Sequence, residues 1–515
     1  MATTSGEPAP IADADAAASL TKGGRAKRGP DPDHPSHRWW VLGVIGLAQL
    51  MVVLDATIVN IALPSAQADL GFSDGNRQWI VTAYALAFGS LLLLGGRVAD
   101  LIGRKRVFLI GLVGFALASA LGGAATSFGM LVSARALQGL FGAMLAPAAL
   151  SLLTTTFTDP KERAKAFGIY GAIAGAGGAV GLLLGGILTE YLDWRWCLYV
   201  NLIIAVVAFV GALRLLQPGV PADRPKLDVP GTVLVSAGLF CIVYGFSNAE
   251  THAWSSPQTW GFLVVGAVLV AAFGWWQTRA AHPLLPLRVI LDRDRGASFA
   301  AMFISGAGMF GVFLFLTYYL QQSLHYSPVK TGLAFLPMVA VMVVISVITT
   351  NKLVPRYGAK PIVPTGMLLA AVAMAWMTQL DLSSSYVPHV LFPLMLMGFG
   401  LGLVFAPGMS LATSGVGPRD AGVASAMVNT SQQVGGSIGT ALLNTLATSA
   451  AASFLVGKQP TPGTQAQAQL HSYSTAYWWS AGFFVLGFLV TVILYRPGAP
   501  SIHPVDEDAA PAVHM

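Results

Sequence analysis

The sequence predicts an all-α integral membrane protein of fourteen transmembrane helices. They form two parallel six-helix halves with two helices inserted between them, and both termini are cytoplasmic. Three observations carry this. Charged residues make up only 10% of the 515 residues and hydrophobic residues 55%, with a mean hydropathy of +0.66, whereas a soluble domain carries roughly 25% charged residues. Fourteen apolar runs approach the ~20 residues that a bilayer requires. Placing the N-terminus inside sets 24 of the 29 Lys and Arg on the cytoplasmic side, the asymmetry expected when cations are retained there.

The apolar cores are 39–61, 78–98, 106–125, 130–156, 164–188, 195–215, 230–247, 259–276, 298–320, 331–350, 361–380, 387–412, 422–449 and 475–495. Only Arg77, Arg195, Lys330 and Lys458 fall in outer segments or at outer span ends, and Arg135 is the one cation well inside a span. A single miscounted helix would invert every later loop, so the asymmetry supports the count. Residues 1–37 are Ala/Pro/Asp-rich and then basic, and 497–515 are polar; both read as disordered cytoplasmic tails, and no secretory signal precedes the first span. Between them lie an N-terminal half (38–216), a two-helix insertion with linkers (217–296) and a C-terminal half (297–496).

The halves are read from a faint repeat. The segment 351–360 echoes 96–105, Gly402–Pro407 echoes Gly142–Pro147, and Gly435–Gly439 echoes Gly177–Gly181, at offsets of 255, 260 and 258. Parallel repeats around a midplane cavity are a transporter architecture.

Between the second and third spans runs Gly96-Arg97-Val98-Ala99-Asp100-Leu101-Ile102-Gly103-Arg104-Lys105-Arg106. A tight, strongly basic turn between two spans belongs on the cytoplasmic side. Gly96 and Gly103 allow the turn and close backbone approach. Asp100 stands where a helix is ending, with Arg104 and Lys105 just beyond it, so it can pair with arginine or cap a neighbouring helix.

Asp55 is the one carboxylate placed well inside a span. An intramembrane acid is costly and functional by default, and it can exchange a proton as its surroundings switch between wet and dry. The alternative is an acid permanently paired to lock two helices. Arg135 is the matching cation, and Gln138, Gly139 and Gly142 follow on its face. That face suits close packing or a wet cavity. Counting along both spans places Asp55 and Arg135 roughly 8–9 Å below the outer surface, at 1.5 Å per residue. They can pair directly or through water, or face different cavities. In the fifth span Gly171, Gly175, Gly177, Gly181, Gly185 and Gly186 form a small-residue stripe, a helix interface that either seals and bends or merely packs.

The composition excludes other classes. Cys197 and Cys241 give neither a disulfide framework nor metal-ligand spacing, and no histidine is expected deep in a span. Glu190, Asp193 and Arg195 read as an outer-rim cluster. The pairs Trp39-Trp40, Trp275-Trp276 and Trp478-Trp479 read as interface anchors. No nucleophile–base pair, metal triad or phosphate loop is evident, so the chain is not expected to be an enzyme.

Four motifs, 54–64, 96–106, 135–142 and the glycine-rich fifth span, together cause the chain to resemble the fourteen-helix drug:proton antiporter branch of the major facilitator superfamily over roughly residues 38–496. The 418–422 lead-in to span 13 is similar to that family's C-terminal half. The resemblance implies rocker-switch alternating access and export of an amphipathic drug or antibiotic. It implies proton coupling at Asp55 and Arg135, and stabilisation of the outward-facing state by Asp100 and Arg104. The chain departs from the family pattern at Leu182 and Ile203, where prolines are usual, and at Pro355 in the second-half loop. With Asp55 nearly alone as an intramembrane acid, neutral, zwitterionic or anionic substrates fit at least as well as cations.

The expected function is therefore proton-driven efflux by a monomer in a bacterial plasma membrane, with the proton gradient as energy source. No cofactor and no nucleic-acid partner are expected; the net charge of +6 is a topology signal. Proton symport or facilitated uptake of a nutrient is the alternative on the same fold, and a non-transporting sensor or enzyme a remote one.

Overall fold

The computed structural model describes residues 35–73, 76–217, 228–252, 254, 256–416, 421–459 and 461–497. The expected tails lie outside these residues, except that the first helix already begins at Pro35, inside the expected 1–37 tail. Regular structure is entirely helical among the described residues.

The first half contains α1 (Pro35–Leu70), α2 (Gln78–Ile102), α3 (Arg104–Gly123), α4 (Phe128–Thr156), α5 (Pro160–Tyr191) and α6 (Trp196–Leu215). An insertion follows, made of α7 (Val229–His252), α8 (Pro257–Gln277) and the single-turn α9 (Leu287–Leu291). The second half holds α10 (Arg293–Tyr318), α11 (Pro328–Ile348), the short α12 (Val354–Tyr357), α13 (Ile362–Met377), α14 (Phe392–Thr413), α15 (Ala421–Leu455) and α16 (Pro462–Leu494). Twelve described helices are long and apolar enough to cross a bilayer. The fifth and eleventh expected spans are represented by shorter apolar helices, Gly177–Tyr191 within α5 and Ile362–Met377.

Several helices overrun their apolar cores. The last helix starts at Pro462, far ahead of the expected 475, because Thr461 caps it with a reciprocal Thr461–Thr464 capping box; two otherwise orphaned N–H groups are satisfied there. Polar turns can then join a helix that apolar runs alone do not delimit. Short π-helical turns extend α10 (Tyr319–Ser323) and α11 (Thr349–Leu353) and precede α14 (Val387–Leu391).

The two halves pack alike. α2 lies on α4, α3 on α4 and α6, and α1 on α5 and α6. In the same way α11 lies on α14, α13 on α14 and α16, and α10 on α15 and α16. The halves meet along two seams, α5 against α11 and α2 against α15. The 96–106 and 351–360 loops turn alike: Gly103 (φ 99) and Gly358 (φ 75) both have positive φ. Each donates its N–H to the carbonyl four residues back, Ala99 and Val354. Only glycine takes that conformation without strain.

The bundle has two distinct ends. At the end carrying the basic loop, Arg38 pairs with Glu162 at 2.8 Å, and Lys105 Nζ caps α6 by donating to the Leu213 and Leu216 carbonyls. At the far end Tyr318 Oη donates to Gln67 Oε1 at 3.1 Å, joining α10 to α1. Arg77 lies over the Tyr318 ring, 4.0 Å from its centroid, and is only 9% exposed. The sequence reading put Arg77 in an outer loop; the aromatic face lets its cation be buried at the start of α2 instead.

The α7–α8 hairpin packs on α2 and α15, covering one seam. Its open end, opposite the connecting loop, is tied by Asp228, whose Oδ1 accepts from Gly231 N (2.9 Å) and Trp276 Nε1 (2.7 Å). Its Oδ2 accepts from Gln277 Nε2 (2.8 Å) and Leu284 N (3.4 Å). Burial disfavours this charge, but the bonds from Gln277, Trp276, Gly231 and Leu284 win and hold its carboxyl below the usual range. Trp276, expected as an interface anchor, is thus a hydrogen-bond donor in this tie. Arg97 Nη2 reaches from the basic loop to the Pro283 carbonyl at 2.8 Å.

Candidate functional site

Asp55 stands mid-helix on α1 with no exposed surface, and Arg135 on α4 is 1% exposed. Arg135 Nη1 donates to Asp55 Oδ2 at 2.6 Å. The other carboxylate oxygen, Oδ1, accepts from Gln138 Nε2 and Asn201 Nδ2, each at 2.8 Å. Of the sequence alternatives, the structure realises the direct ion pair.

The surroundings pin this pair from every side. Arg135 Nε donates to the Ile80 carbonyl at 3.1 Å, and Nη1 also reaches Gln138 Oε1 at 2.8 Å. The Tyr84 ring covers the guanidinium, 4.5 Å from Cζ to centroid. Ser119 Oγ on α3 accepts from Gln138 Nε2 at 2.7 Å and Asn201 Nδ2 at 3.3 Å. Two helices, α4 and α6, therefore bond the α1 carboxylate, and α2 and α3 hold the groups that do so. Burying two charges is repaid only when geometry is good and the remaining donors and lone pairs are met; here they nearly all are.

Gln138 was expected on the Arg135 face and is a full member of the network. Gly139 and Gly142 are not near water. A methyl at Gly139 would overlap the Tyr84 carbonyl and lie 2.9 Å from Ala87 Cβ; one at Gly142 would lie 2.9 Å from Phe88 Cδ2. They let α2 press against α4, which brings Ile80 and Tyr84 within reach of Arg135.

The glycine stripe of α5 divides between two partners. Gly177, Gly181 and Gly185 bed α5 onto α1: a methyl at Gly181 would overlap Thr57 Oγ1, and one at Gly185 would lie 2.9 Å from Ile58 Cγ1. Gly186 faces the other half, where a methyl would lie 2.6 Å from the Pro328 carbonyl. Leu182 is fully buried, and its carbonyl is where Gly332 of α11 closes in. Ile203, the other departure, is 62% exposed on α6.

The basic loop is only partly as read. Gly103 makes its turn and Lys105 caps α6 as described. Arg104 is half-buried. The Asp100 side chain, and residues 418–420 of the span-13 lead-in, lie outside the described residues. Close approach is made by Gly95, where a methyl would overlap the Ala143 carbonyl, and not by Gly96, whose methyl would sit an ordinary 3.6 Å from Pro147 Cβ. The rim cluster also changes partners. Arg195 pairs with Asp69 at 2.9 Å and Asp193 at 3.4 Å, while Glu190 accepts from Val329 N at 3.0 Å across the α5–α11 seam.

Sequence reasoning missed Asn201 and Ser119. Asn201 lies on α6, two residues before Ile203. A side-chain amide inside the apolar run 195–215 was the available signal. An apolar cavity of about 10 Å³ borders Arg135, between Val59, Ile80, Leu131, Trp194 and Leu198. That is room for about one water. No group of three metal-ligating side chains occurs among the described residues.

Comparison with known proteins places these features. The sequence model of the Major Facilitator Superfamily matches residues 45–440. The puromycin resistance protein of Streptomyces alboniger is 50% identical over 471 residues, 91% of this chain and 93% of that protein. The cephamycin export protein of Amycolatopsis lactamdurans is 39% identical over 467 residues, 89% and 94% respectively. An auto-inhibited POT family peptide transporter has a similar fold, with a TM-score of 0.65 at 16% identity, covering 91% of this chain and 99% of that one.

Proposed function

The chain belongs to the major facilitator superfamily and is a multi-pass membrane protein; on that premise we propose that it is a proton-driven antiporter that exports a small amphipathic antibiotic. It crosses a bacterial plasma membrane fourteen times as a monomer, with both termini in the cytoplasm and the basic 96–106 loop on the same side. Puromycin-like and cephamycin-like compounds are the first substrate classes to consider, because relatives bearing those names are 50% and 39% identical to it.

The observation that carries the coupling is the saturated Asp55 carboxylate. It receives N–H donors from Arg135, Gln138 and Asn201. A proton on Oδ1 cancels the charge that holds the guanidinium 2.6 Å from Oδ2, so protonation and the ion pair oppose each other. Proton uptake from outside releases Arg135 from Asp55, and release of the proton inside restores the pair. Alternating access follows if substrate and proton favour opposite states, since a ligand shifts an equilibrium only by its differential affinity.

The test is collapse of a pH gradient in inside-out vesicles holding wild type or Asp55→Asn, titrated with puromycin, a cephamycin and chemically varied dyes. Proton release by one compound class through the wild type alone supports antiport. Uphill export by Asp55→Asn would refute the coupling.

A further inference from the structure

Two buried polar atoms around the Asp55 site lack a hydrogen-bond partner, Tyr84 Oη and Asn201 Oδ1, and of these two groups only Asn201 is bonded to the carboxylate. Asn201 has no exposed surface, and its Oδ1 is buried without a hydrogen-bond partner. Its Nδ2 donates to Asp55 Oδ1 at 2.8 Å and to Ser119 Oγ at 3.3 Å. The carboxylate thus faces three donors, which suits its ionised form. A protonated carboxyl carries an O–H and needs an acceptor. The unused acceptor lies on the same amide that already touches Asp55.

We infer that Asn201 is a positioning residue that reads the protonation state of Asp55, turning its side-chain amide so that Oδ1 accepts the new O–H. The inference rests on the reading of Asp55 as the proton site. The turn is about a broad, two-fold torsion and exchanges two groups of similar size, so surrounding side chains need not repack. Gln138 cannot do the same. Its Oε1 accepts from Arg135 Nη1 at 2.8 Å, and a turn would set an N–H₂ group against a guanidinium, which has no acceptor. Ser119 can follow either orientation, because a hydroxyl both donates and accepts.

Balance is kept: one proton is added to Asp55, and no bond other than hydrogen bonds changes. The charge-assisted bond from α6 to α1 becomes a weaker neutral one. The turned amide leaves its N–H₂ in the unpartnered position, so the ionised arrangement returns when the proton leaves. From the helices packed on α1, the charged or titratable groups nearest Asp55 are Arg135 on α4, Tyr84 on α2 and Cys197 on α6.

The experiment is pH-difference infrared spectroscopy on the purified full chain in lipid, with and without ¹⁵N-labelled asparagine, for wild type, Asp55→Asn, Asn201→Leu and Asn201→Gln. Wild type is expected to show a carboxylic acid band paired with an asparagine amide band that moves on labelling. Asp55→Asn is expected to lose both, and Asn201→Leu to keep the acid band but lose the amide band. In vesicles, turnover of puromycin by Asn201→Leu is expected to fall at least about tenfold with little change in KM, the loss of a hydrogen bond to a charged group. Its pH profile should also shift, and Asn201→Gln should restore part of both. An acid band that persists in Asp55→Asn refutes Asp55 as the proton site and this inference with it. An acid band lost in Asp55→Asn but without a label-sensitive amide band in wild type refutes the Asn201 inference alone. That second reading needs no substitution at 201, so it stands even if Asn201→Leu does not fold. An unchanged pH profile and turnover in a folded Asn201→Leu also overturns it.

Discussion

The two six-helix halves pack by the same scheme, yet their centres differ in chemistry. In the first half α4 carries Arg135 and Gln138, bonded to Asp55. One repeat on, at the offset of 260, α14 carries Met395 and Gly398. Gly398 presses against the Met338 carbonyl, just as Gly139 presses against that of Tyr84. The second half is filled instead by Met338, Met367, Met374 and Met397, each at most 1% exposed. Among the described residues of the second half, the same packing is therefore achieved with no buried charge. A buried ion pair is often no more stabilising than apolar residues of similar volume, so the first half keeps its pair at a cost that the fold does not require. Methionine is flexible and polarizable and accommodates irregular neighbours, which suits it to fill that core.

This contrast can be broken in order of expected effect. Arg135→Leu leaves Asp55 buried and unpaired, and thermal unfolding in detergent should show a loss of about 3–5 kcal/mol. The double variant Asp55→Leu/Arg135→Leu should recover most of it while remaining unable to couple protons. If the double variant is as unstable as the single one, the pair is structural and the comparison fails. Gly181→Val overpacks the α1–α5 contact beneath Thr57, at a cost of about 1–3 kcal/mol in the same assay. Met397→Leu in the second half, a volume-conserving swap, should cost under about 1.5 kcal/mol and leave the vesicle assay intact. Gly96→Ala, with only an ordinary contact ahead of it, should be close to neutral, whereas Gly95→Ala should not.

The insertion belongs to neither half and answers to pH. The Asp228 carboxyl titrates lower in the folded chain than when free. Its stabilisation is thus complete above the ordinary value of about 3.9 and is lost as pH falls through the lower folded value. Hydrogen exchange at the Gly231 and Leu284 amides should rise over that acid range in wild type. In Asp228→Asn it should be fast throughout and insensitive to pH. Equal pH dependence in both proteins would remove Asp228 from the tie.

Much was legible in the sequence because a bilayer imposes simple, local rules. Apolar length marked the helices, and the offsets of 255 to 260 matched loops that the structure turns alike at Gly103 and Gly358. Asp55 and Arg135 were readable because a charge in an apolar run stands out whatever its partners. Helix ends were less readable: α16 begins thirteen residues before its apolar core, at Pro462 rather than 475, because capping is polar and local.

What the chain alone determined was membrane residence, the family, and which side chains were too costly to be there by accident. Tertiary structure alone decided that Asp55 meets Arg135 directly, that Asn201 and Ser119 complete the site from α6 and α3, and that Arg77 is buried beneath Tyr318. It also decided which glycines matter, Gly95 and not Gly96. The physical reason is the same throughout. Insertion into a bilayer depends on each segment's own composition, whereas hydrogen bonds and close approach depend on residues 19 to 251 positions apart, which no local pattern pairs.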